Sequence, residues 1–351
     1  MSYTNGLDDP TLYFNTKLYT GTEVSGNSIT GVGFQPDLIW IKNRTDASNH
    51  NLYDSVRGGN GTSHYFLKSN VTNAEGTNTS SLLTIDSDGF TLGDGNEVNG
   101  ASDNMVSWNF LASNTTASNT DGSITSTVSA NTTSGFSIVS YTGNGTAGAT
   151  VGHSLGSTPN IVLVKQRNSS NNWMMYHSSL GNTGNMRLND TNAFSEDTTF
   201  WNDTSPNSTT FTLGTDGKGN GSGNTYIAYC FHSVKGYSKF GSYTGNGSTD
   251  GTFVYTGFKP AWVMIKRTDS GSSAGWLMFD NKRLGYNGGN SFLEAHVSAS
   301  ESSAERIDIL SSGFKNRSTT QVNNASGGSY IYMAFAENPF VSSSGVPCTA
   351  R

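Results

Sequence analysis

Charge is scarce in this chain of 351 residues. Charged residues make up 13% of the sequence, about half of their usual share in a globular protein. The 20 lysines and arginines form no cluster longer than two residues, and the net charge is −6. A nucleic-acid-binding surface needs a basic stripe that neutralises phosphates. The charge pattern therefore excludes nucleic acid as an expected partner.

Cysteines and long apolar runs are scarce as well. Cys230 and Cys348 are the two cysteines, so the chain has no disulfide framework, although a single bridge stays open. The longest apolar runs span about six residues, against the roughly 20 that a membrane-spanning helix needs. Residues 1–10 are polar and lack the apolar core of a signal peptide. We therefore expect no membrane insertion, and folding in a reducing cytoplasm.

Small polar residues take the place of the missing ones. Gly, Ser, Thr and Asn together supply about half of the chain, while apolar residues supply 33%. Such a composition disfavours helices, because its most frequent residues have poor helix propensity. The 18 Phe, 15 Tyr and 6 Trp argue against disorder, since disordered chains are poor in aromatics. The composition predicts an all-β protein with long polar loops.

A threefold repeat organises the sequence. Each copy begins with a Tyr-Thr-Gly motif and continues with a proline and an apolar run that ends in a lysine. The motifs begin at Tyr19, Tyr141 and Tyr243, the prolines are Pro36, Pro159 and Pro260, and the lysines are Lys42, Lys165 and Lys266. The apolar run indicates a strand buried on both faces. We expect each lysine to mark the point where its strand emerges. A later aromatic run closes each copy and predicts a central strand.

The repeat predicts three tandem β-sandwich domains, jelly-roll-like, with long polar loops. Pro159 and Pro260 lie 101 residues apart, which favours whole domains over solenoid or propeller repeats with periods of about 20–50 residues. The expected segments are an N-terminal arm at 1–12, repeat 1 at 13–113, a Ser/Thr/Asn-rich linker at 114–134, repeat 2 at 135–233, repeat 3 at 236–337 and a C-terminal tail at 338–351.

Four aromatic residues are candidates for carbohydrate contact: Trp173, Tyr176, Trp201 and Trp276. Aromatic rings stack on sugar faces, and neighbouring Asn, Ser, Thr and Asp side chains can replace water around hydroxyl groups. Trp173 and Trp276 occupy the same repeat position, which favours a core role for both. Trp201 has no counterpart in the other copies and follows a polar stretch, so we expect it to be exposed.

Metal sites have weaker support. Asp86, Asp88 and Asp216 place oxygen ligands in Gly-rich loops, which suits calcium. Turns with side-chain hydrogen bonds explain the same residues, and no glutamate follows at the twelfth position of an EF-hand loop. The six histidines show no zinc-like spacing. We expect neither a metal nor another cofactor.

Catalysis has no clear signature either. The sequence holds no Gly-x-Ser-x-Gly motif and no phosphate-binding loop after a strand. Glycan-cleaving enzymes assemble their carboxylates from distant strands. A non-enzymatic role is therefore the hypothesis, with a glycan depolymerase as the least favoured alternative.

The repeated motifs resemble a known family. The segments at 19–21, 31–44, 52–58 and 86–90 are similar to a domain of unknown function that recurs in virion structural proteins of tailed phages, especially marine and cyanobacterial ones, often in tail fibres. The third copy keeps the Gly-Phe-Lys-Pro motif at 257–260. The second copy departs from the pattern, with Ser157-Thr158-Pro159 at the same place.

The resemblance implies a phage virion protein, folded in the host cytoplasm and displayed on the particle. The leading hypothesis is a fibre or appendage component that attaches to the host surface, with a glycan as the expected ligand. Other virion proteins are expected partners, and a homotrimer is expected by analogy with fibres. The alternative is a capsid decoration protein or self-assembling fibre subunit without a receptor role.

Overall fold

A computed structural model describes residue 4 and residues 7–271, 274–283 and 287–347. Strands hold 44% of the chain and helices 3%, which confirms the all-β expectation. A short 3-10 helix at Pro10–Leu12 precedes the first strand, and Asp9 caps it through the backbone N–H of Thr11. The strands then form three large antiparallel sheets and three small ones, one pair for each repeat of the sequence.

Repeat 1 contains eight strands and one helical turn. They are β1 (Phe14–Thr20), β2 (Asn27–Thr30), β3 (Leu38–Asn43), β4 (Asn51–Asp54), β5 (Leu67–Lys68), β6 (Leu82–Asp86), β7 (Gly89–Leu92), α1 (Asn96–Asn99) and β8 (Asn104–Phe110). The large sheet has the order β1-β8-β3-β4-β5, and the small sheet has the order β2-β7-β6. The closing strand β8 is thus an interior strand between β1 and β3, as its aromatic pattern predicts.

Repeat 2 follows the same plan with additional strands. They are β9 (Ala117–Asn119), β10 (Ser126–Asn131), β11 (Phe136–Thr142), β12 (Ala149–Gly152), β13 (Ile161–Gln166), β14 (Met174–His177), β15 (Gly181–Arg187), β16 (Ser195–Glu196), β17 (Thr210–Leu213), α2 (Gly217–Asn220) and β18 (Thr225–Phe231). The large sheet has the order β16-β15-β14-β13-β18-β11-β10-β9, and β12 pairs with β17.

Repeat 3 completes the chain. Its strands are β19 (Ser238–Thr244), β20 (Phe253–Tyr255), β21 (Phe258–Arg267), β22 (Leu277–Asp280), β23 (Asn290–Glu294), β24 (Ser302–Ala304), β25 (Ile307–Leu310), β26 (Gly313–Asn316) and β27 (Ser329–Pro339). The large sheet has the order β19-β27-β21-β22-β23-β24, and the small sheet has the order β20-β26-β25.

The segment at 114–134 is more than the linker that its composition suggests. It supplies β9 and β10, and β10 pairs with β11 along its whole length. Val128 is buried in the sandwich core of repeat 2, and Ser126 donates a hydrogen bond to the carbonyl of Gly152. Thr and Ser are compatible with strands, so a segment rich in both adds to an open sheet edge wherever a partner strand is available.

The Tyr-Thr-Gly motif joins the first strand of each repeat to the turn before its closing strand. The three tyrosine hydroxyls donate to backbone carbonyls at 2.6 to 2.8 Å: Tyr19 to Val98, Tyr141 to Gly219 and Tyr243 to Asn323. A Cβ on the motif glycine would clash with a backbone carbonyl of that same turn, for example that of Gly100 beside Gly21. The motif therefore needs glycine because two backbone segments touch there.

Each repeat buries an apolar core between its large and small sheets, as in a β-sandwich. A fourth core lies on the other face of the three large sheets and contains residues of all three repeats. At its centre, the last core residues of the closing strands meet. Phe110, Phe231 and Phe335 form a triangle with ring centroids 5.2 to 6.0 Å apart. The repeats thus surround a shared core, which the prediction of three tandem sandwich domains did not include.

The repeats close into a ring through equivalent backbone hydrogen bonds. The N–H of Glu75 in repeat 1 donates to Arg167 in repeat 2, that of Phe194 in repeat 2 donates to Thr268 in repeat 3, and that of Glu301 in repeat 3 donates to Arg44 in repeat 1. The third bond returns to the first repeat, so the junctions follow a cyclic head-to-tail pattern. A single chain thereby builds a pseudo-threefold arrangement.

The lysines near the ends of the long apolar strands do not emerge at the surface. Lys42, Lys165 and Lys266 are all buried, and each ammonium donates to the carbonyl of the following residue. Burial lowers the pKa of each amine to about 8. Lys165 and Lys266 also donate to the preceding repeat, at the carbonyls of Thr72 and Thr191. Lys165 and Lys266 therefore help to hold adjacent repeats together.

Candidate functional site

The structure buries all four aromatic residues that the sequence proposes for carbohydrate contact. Trp173 and Trp276 lie at junctions between repeats, where their indole N–H groups donate to the carbonyls of Lys68 and Arg187 at 2.8 and 2.9 Å. His50 takes the equivalent place at the third junction, with Nε2 3.1 Å from the carbonyl of Glu294. The Nδ1 of His50 accepts a hydrogen bond from the indole N–H of Trp40. Nε2 therefore carries the proton and donates to the carbonyl of Glu294. These rings hold adjacent repeats together.

Trp201 corrects the expectation of an exposed ring. Its side chain is fully buried in the sandwich core of repeat 2, where it packs edge-on against Phe200 and Tyr176. Tyr176 is 4% exposed in the same core. A polar neighbourhood in the sequence does not show that Phe200 and Trp201 both enter this core.

The calcium candidates carry out turn and capping roles. Asp88 accepts the backbone N–H groups of Gly31 and Gly33, and these hydrogen bonds lower the pKa of its carboxyl. Asp86 accepts the hydroxyl of Thr91, and Asp216 caps α2. Among the residues that the structure describes, no group of three or more His, Cys, Asp or Glu side chains could hold a metal ion.

One of the two cysteines lies in the described part of the chain. Cys230 is a free, buried thiol in β18, and burial raises its pKa to about 12. Cys348 lies outside the described residues. Within the described part of the chain, no helix has the length and apolarity needed to cross a bilayer.

Buried ion-pair clusters occupy two of the three junctions. Between repeats 1 and 2, Arg57 pairs with Asp54 and Glu75, and Glu75 also pairs with Arg167. The hydroxyl of Tyr229 donates to Asp54 at 2.7 Å. Buried charges of this kind are stable only when their partners stay in place. These ionisable groups are therefore structural.

The junction of repeats 3 and 1 repeats this constellation with other residues. Arg283 pairs with Asp280 and Glu301, and Glu301 pairs with Arg44. The indole of Trp108 donates to Asp280 at 3.1 Å, and the Arg283 guanidinium lies 5.7 Å from its ring centroid.

The junction of repeats 2 and 3 lacks these charges. His177 and Leu180 stand where the other repeats have Asp and Arg, and Phe194 faces Thr268 in place of a Glu-Arg pair. His177 is 1% exposed, and burial lowers its pKa to about 4. The sequence difference at His177 therefore marks a junction without the ion-pair cluster of the other two.

Among the residues that the structure describes, the exposed aromatic rings lie on β20 of repeat 3. Phe253 is 46% exposed and Tyr255 is 51% exposed, with Val254 buried between them. Residues two apart on a strand point to the same face, so the two rings share one side of this edge strand. We call Phe253, Tyr255 and the adjacent Lys239 the aromatic patch.

The register of the small sheets shows that the aromatic patch is specific to repeat 3. Val254 pairs with Phe314 as Ile29 pairs with Phe90. Phe253 and Tyr255 therefore correspond to the exposed residues Ser28 and Thr30 of repeat 1, and in repeat 2 to Thr150 and Gly152. This replacement of small residues by aromatics was a sequence signal that a search for tryptophans missed.

A cavity of about 330 Å³ borders the aromatic patch. It is lined by Ser233, Lys235, Gly236, Ser238, Lys239, Tyr255, Thr256 and Gly257. The ammonium of Lys239 donates to the carbonyl of Tyr255 at 2.7 Å and lies 5.2 Å from the centroid of its ring. Burial lowers the pKa of Lys239. Two lysines and no acidic residue are among the described residues of this lining, so the cavity favours an anionic group.

Comparison with family models gives one match, which covers residues 9–339 and is described as a domain of unknown function, DUF7483. The chain belongs to this family. Comparison with curated proteins and with solved structures found no match. The resemblance to a domain of unknown function is thereby confirmed.

The DUF7483 match extends over the whole ring. It begins at Asp9, the cap of the 3-10 helix, and ends at Pro339, the last residue of β27. The family unit therefore includes all three repeats. The shared core explains this extent, because a single repeat would expose the inner face of its large sheet to water.

Proposed function

We propose that this DUF7483 protein is an external component of a phage virion, a fibre or appendage part that attaches the particle to surface glycans of the host. The aromatic patch is the observation that carries this proposal. Exposed rings on a rigid strand give a sugar two apolar faces without a large loss of side-chain entropy. The buried tryptophans are assigned no part in binding.

The chemistry of the patch points to an acidic glycan. Phe253 and Tyr255 offer stacking surfaces, and Lys235 and Lys239 line the adjacent cavity. A uronic acid or phosphorylated sugar matches this pairing, because its ring stacks while its anion meets the ammonium groups. The chain as a whole carries a net charge of −6, whereas the described lining of this cavity has two lysines and no acidic residue.

The closed ring changes the expectation for assembly. A fibre homotrimer usually buries apolar surface around its threefold axis, and here one chain fills that axis with its own residues. Contacts with further copies or with other virion proteins would therefore use the outer surfaces of the ring. The proposal accordingly needs attachment to the particle, and it does not need a homotrimer.

Binding of the purified chain to polysaccharides tests the ligand. We expect retention on an acidic polymer such as alginate, weaker retention on neutral dextran, and loss of retention in high salt. The double variant Phe253→Ser/Tyr255→Thr places the repeat 1 residues on β20 and should reduce binding at least about tenfold. The double variant Leu12→Ser/Val24→Thr, at exposed apolar residues outside the patch, is the matched control.

Immunogold labelling of intact particles tests the location. Label on fibres or appendages supports the proposal. Label spread over the capsid, together with no binding to any surface polysaccharide, favours the decoration protein instead. Release of reducing ends from a bound polysaccharide would make the protein a depolymerase.

A further inference from the structure

A second cavity lies in repeat 1 and differs from the first in its chemistry. It measures about 160 Å³ and is lined by Asn51, Tyr53, Phe66, Asn78, Ser80, Ser81, Gly95, Asn96, Glu97 and Val98. Asn51, Tyr53 and Val98 are buried, while Asn78 and Asn96 are exposed. Because one water needs only about 10–15 Å³, the cavity has room for a small polar ligand.

The other two repeats fill the equivalent space with their own side chains. The backbone hydrogen bonds from Gly93 to Ser81, from Gly214 to Phe200 and from Arg317 to Arg306 align Ser81 with Phe200 and Arg306. Phe200 is buried against Trp201 in repeat 2. In repeat 3, the Arg306 guanidinium lies 5.4 Å from the centroid of the Phe292 ring. Repeat 1 has only a serine at this position, and the cavity stays open although the ammonium of Lys68 lies 5.4 Å from the centroid of the Phe66 ring.

Two other lining positions are polar in repeat 1 and apolar in at least one other repeat. Asn51 corresponds to Met174 and Leu277, both of which are core residues. Glu97 corresponds to Lys218 and Val322, because each stands two residues before the buried asparagine of its turn. These asparagines are Asn99, Asn220 and Asn324. Repeat 1 combines an opened space with added hydrogen-bonding groups.

The polar groups of this cavity are held in place and are neutral as a set. Burial raises the pKa of Glu97, but hydrogen bonds from Lys68 and Asn49 outweigh it and keep the pKa below its usual value. The ionised carboxylate is neutralised by Lys68 at 2.8 Å, and Asn51 donates to it at 3.3 Å. The paired charge leaves no net attraction for a free cation or anion.

The buried floor carries an additional polar group. The Tyr53 hydroxyl lies near Ser81 and the backbone of Leu82, but makes no contact with the geometry of a hydrogen bond. The Tyr53 ring packs edge-on against Phe66, with centroids 6.4 Å apart. Phe66 corresponds to Phe292, the ring on which Arg306 stacks in repeat 3. Sugar rings are recognised by an aromatic wall together with carboxylate, amide and hydroxyl groups, and this cavity contains all of them.

We propose that the repeat 1 cavity binds one neutral sugar ring, stacked on Phe66, with its hydroxyls bonded to Glu97 and Asn51. This inference rests on the proposed function for its ligand class, a glycan, and gives the protein a second site in a different repeat. The aromatic patch binds acidic sugar units of a polysaccharide, and the cavity binds a neutral sugar unit within the same polymer or at its end.

Saturation-transfer NMR of the full chain with single neutral hexoses tests the cavity. Glucose, galactose and mannose are the probes, with arginine and inorganic phosphate as the charged alternatives. We expect saturation transfer to at least one hexose, and none to arginine or phosphate. Ser81→Phe places the repeat 2 side chain in the cavity and should weaken binding at least about tenfold. Glu97→Gln should also weaken it, because it replaces a charged acceptor with a neutral amide.

Ser118→Phe is the matched control, since it adds the same ring at an exposed position of β9 in repeat 2. Unchanged hexose binding in Ser81→Phe and Glu97→Gln, absence of binding by every hexose, or preference for arginine or phosphate would each overturn the inference. Failure here with retained binding to alginate leaves the proposed function intact. Hexose binding without any polysaccharide binding would support the cavity and contradict the attachment role of the patch.

Discussion

Glu75 of repeat 1 holds Arg167 of repeat 2 through two parallel hydrogen bonds of 2.9 and 3.0 Å. The same carboxylate lies 3.3 Å from Arg57, whose side chain is completely buried. Glu301 and Arg44 form the equivalent pair between repeats 3 and 1, with both hydrogen bonds at 2.8 Å. Two of the three junctions thus rely on charges whose partners come from different repeats.

Removal of Arg57 should destabilise the ring strongly. Arg57→Met leaves Asp54 buried without its cation, and breaking a buried pair costs about 3–5 kcal/mol. The free energy of unfolding, measured in guanidinium chloride, checks this. Arg267→Gln is the control, because Arg267 pairs with Asp269, which is 39% exposed, and should change stability by less than about 1 kcal/mol. Equal effects of the two variants would contradict a structural role for the cluster.

Gly21→Ala should be poorly tolerated. The added Cβ would clash with the carbonyl of Gly100, and we expect a loss of about 3 kcal/mol in thermal or chemical unfolding. Gly217→Ala is the opposite case, because Gly217 starts α2 with open space around it. That variant should be neutral or more stable by up to about 1 kcal/mol. A neutral Gly21→Ala would show that the turn can move away.

Acid should destabilise the junction of repeats 2 and 3. The pKa of His177 is about 4 in the folded chain and 6.5 in its ordinary state, so the unfolded chain binds the proton first. Stability therefore falls as the pH drops from about 6.5 to about 4, by up to about 3 kcal/mol from this group. His177→Gln should flatten the curve of unfolding free energy against pH over that range. An unchanged curve would place the acid sensitivity in other groups.

Trp201→Ala should reduce stability and leave glycan binding unchanged in the protein that remains folded. The indole is fully buried, and truncation of a buried tryptophan costs about 3–5 kcal/mol. Chemical unfolding and alginate binding measured on the same samples check both parts. Phe253→Ala should show the reverse, with lost binding and little change in stability. Loss of binding in well-folded Trp201→Ala would restore the first interpretation of this residue.

Local patterns were sufficient for the strands. The apolar run from Ile161 to Val164 predicts a strand covered on both faces, and β13 is buried throughout. The Tyr-Thr-Gly motif recurs because the same two backbone segments touch in each repeat. Such features depend on neighbours along the chain or on one sandwich, so their residue pattern repeats visibly.

Exposure could not be predicted in the same way. The Lys165 ammonium donates to the carbonyl of Thr72, and the Trp173 indole donates to the carbonyl of Lys68. Each acceptor lies roughly 100 residues away in the sequence. Nothing near these residues in the sequence marks the covering surface. For the same reason, the cavity at Ser81 became visible only once the backbone hydrogen bonds aligned it with Phe200 and Arg306.

The sequence by itself determined an all-β chain with a threefold repeat, because the alternation of side chains along a strand and the spacing of turn residues are local. The tertiary structure alone decided that the inner faces of the large sheets share one core around Phe110, Phe231 and Phe335. It also decided which rings stay exposed. The physical reason is that burial depends on which distant surface covers a residue, and ring closure sets those partners.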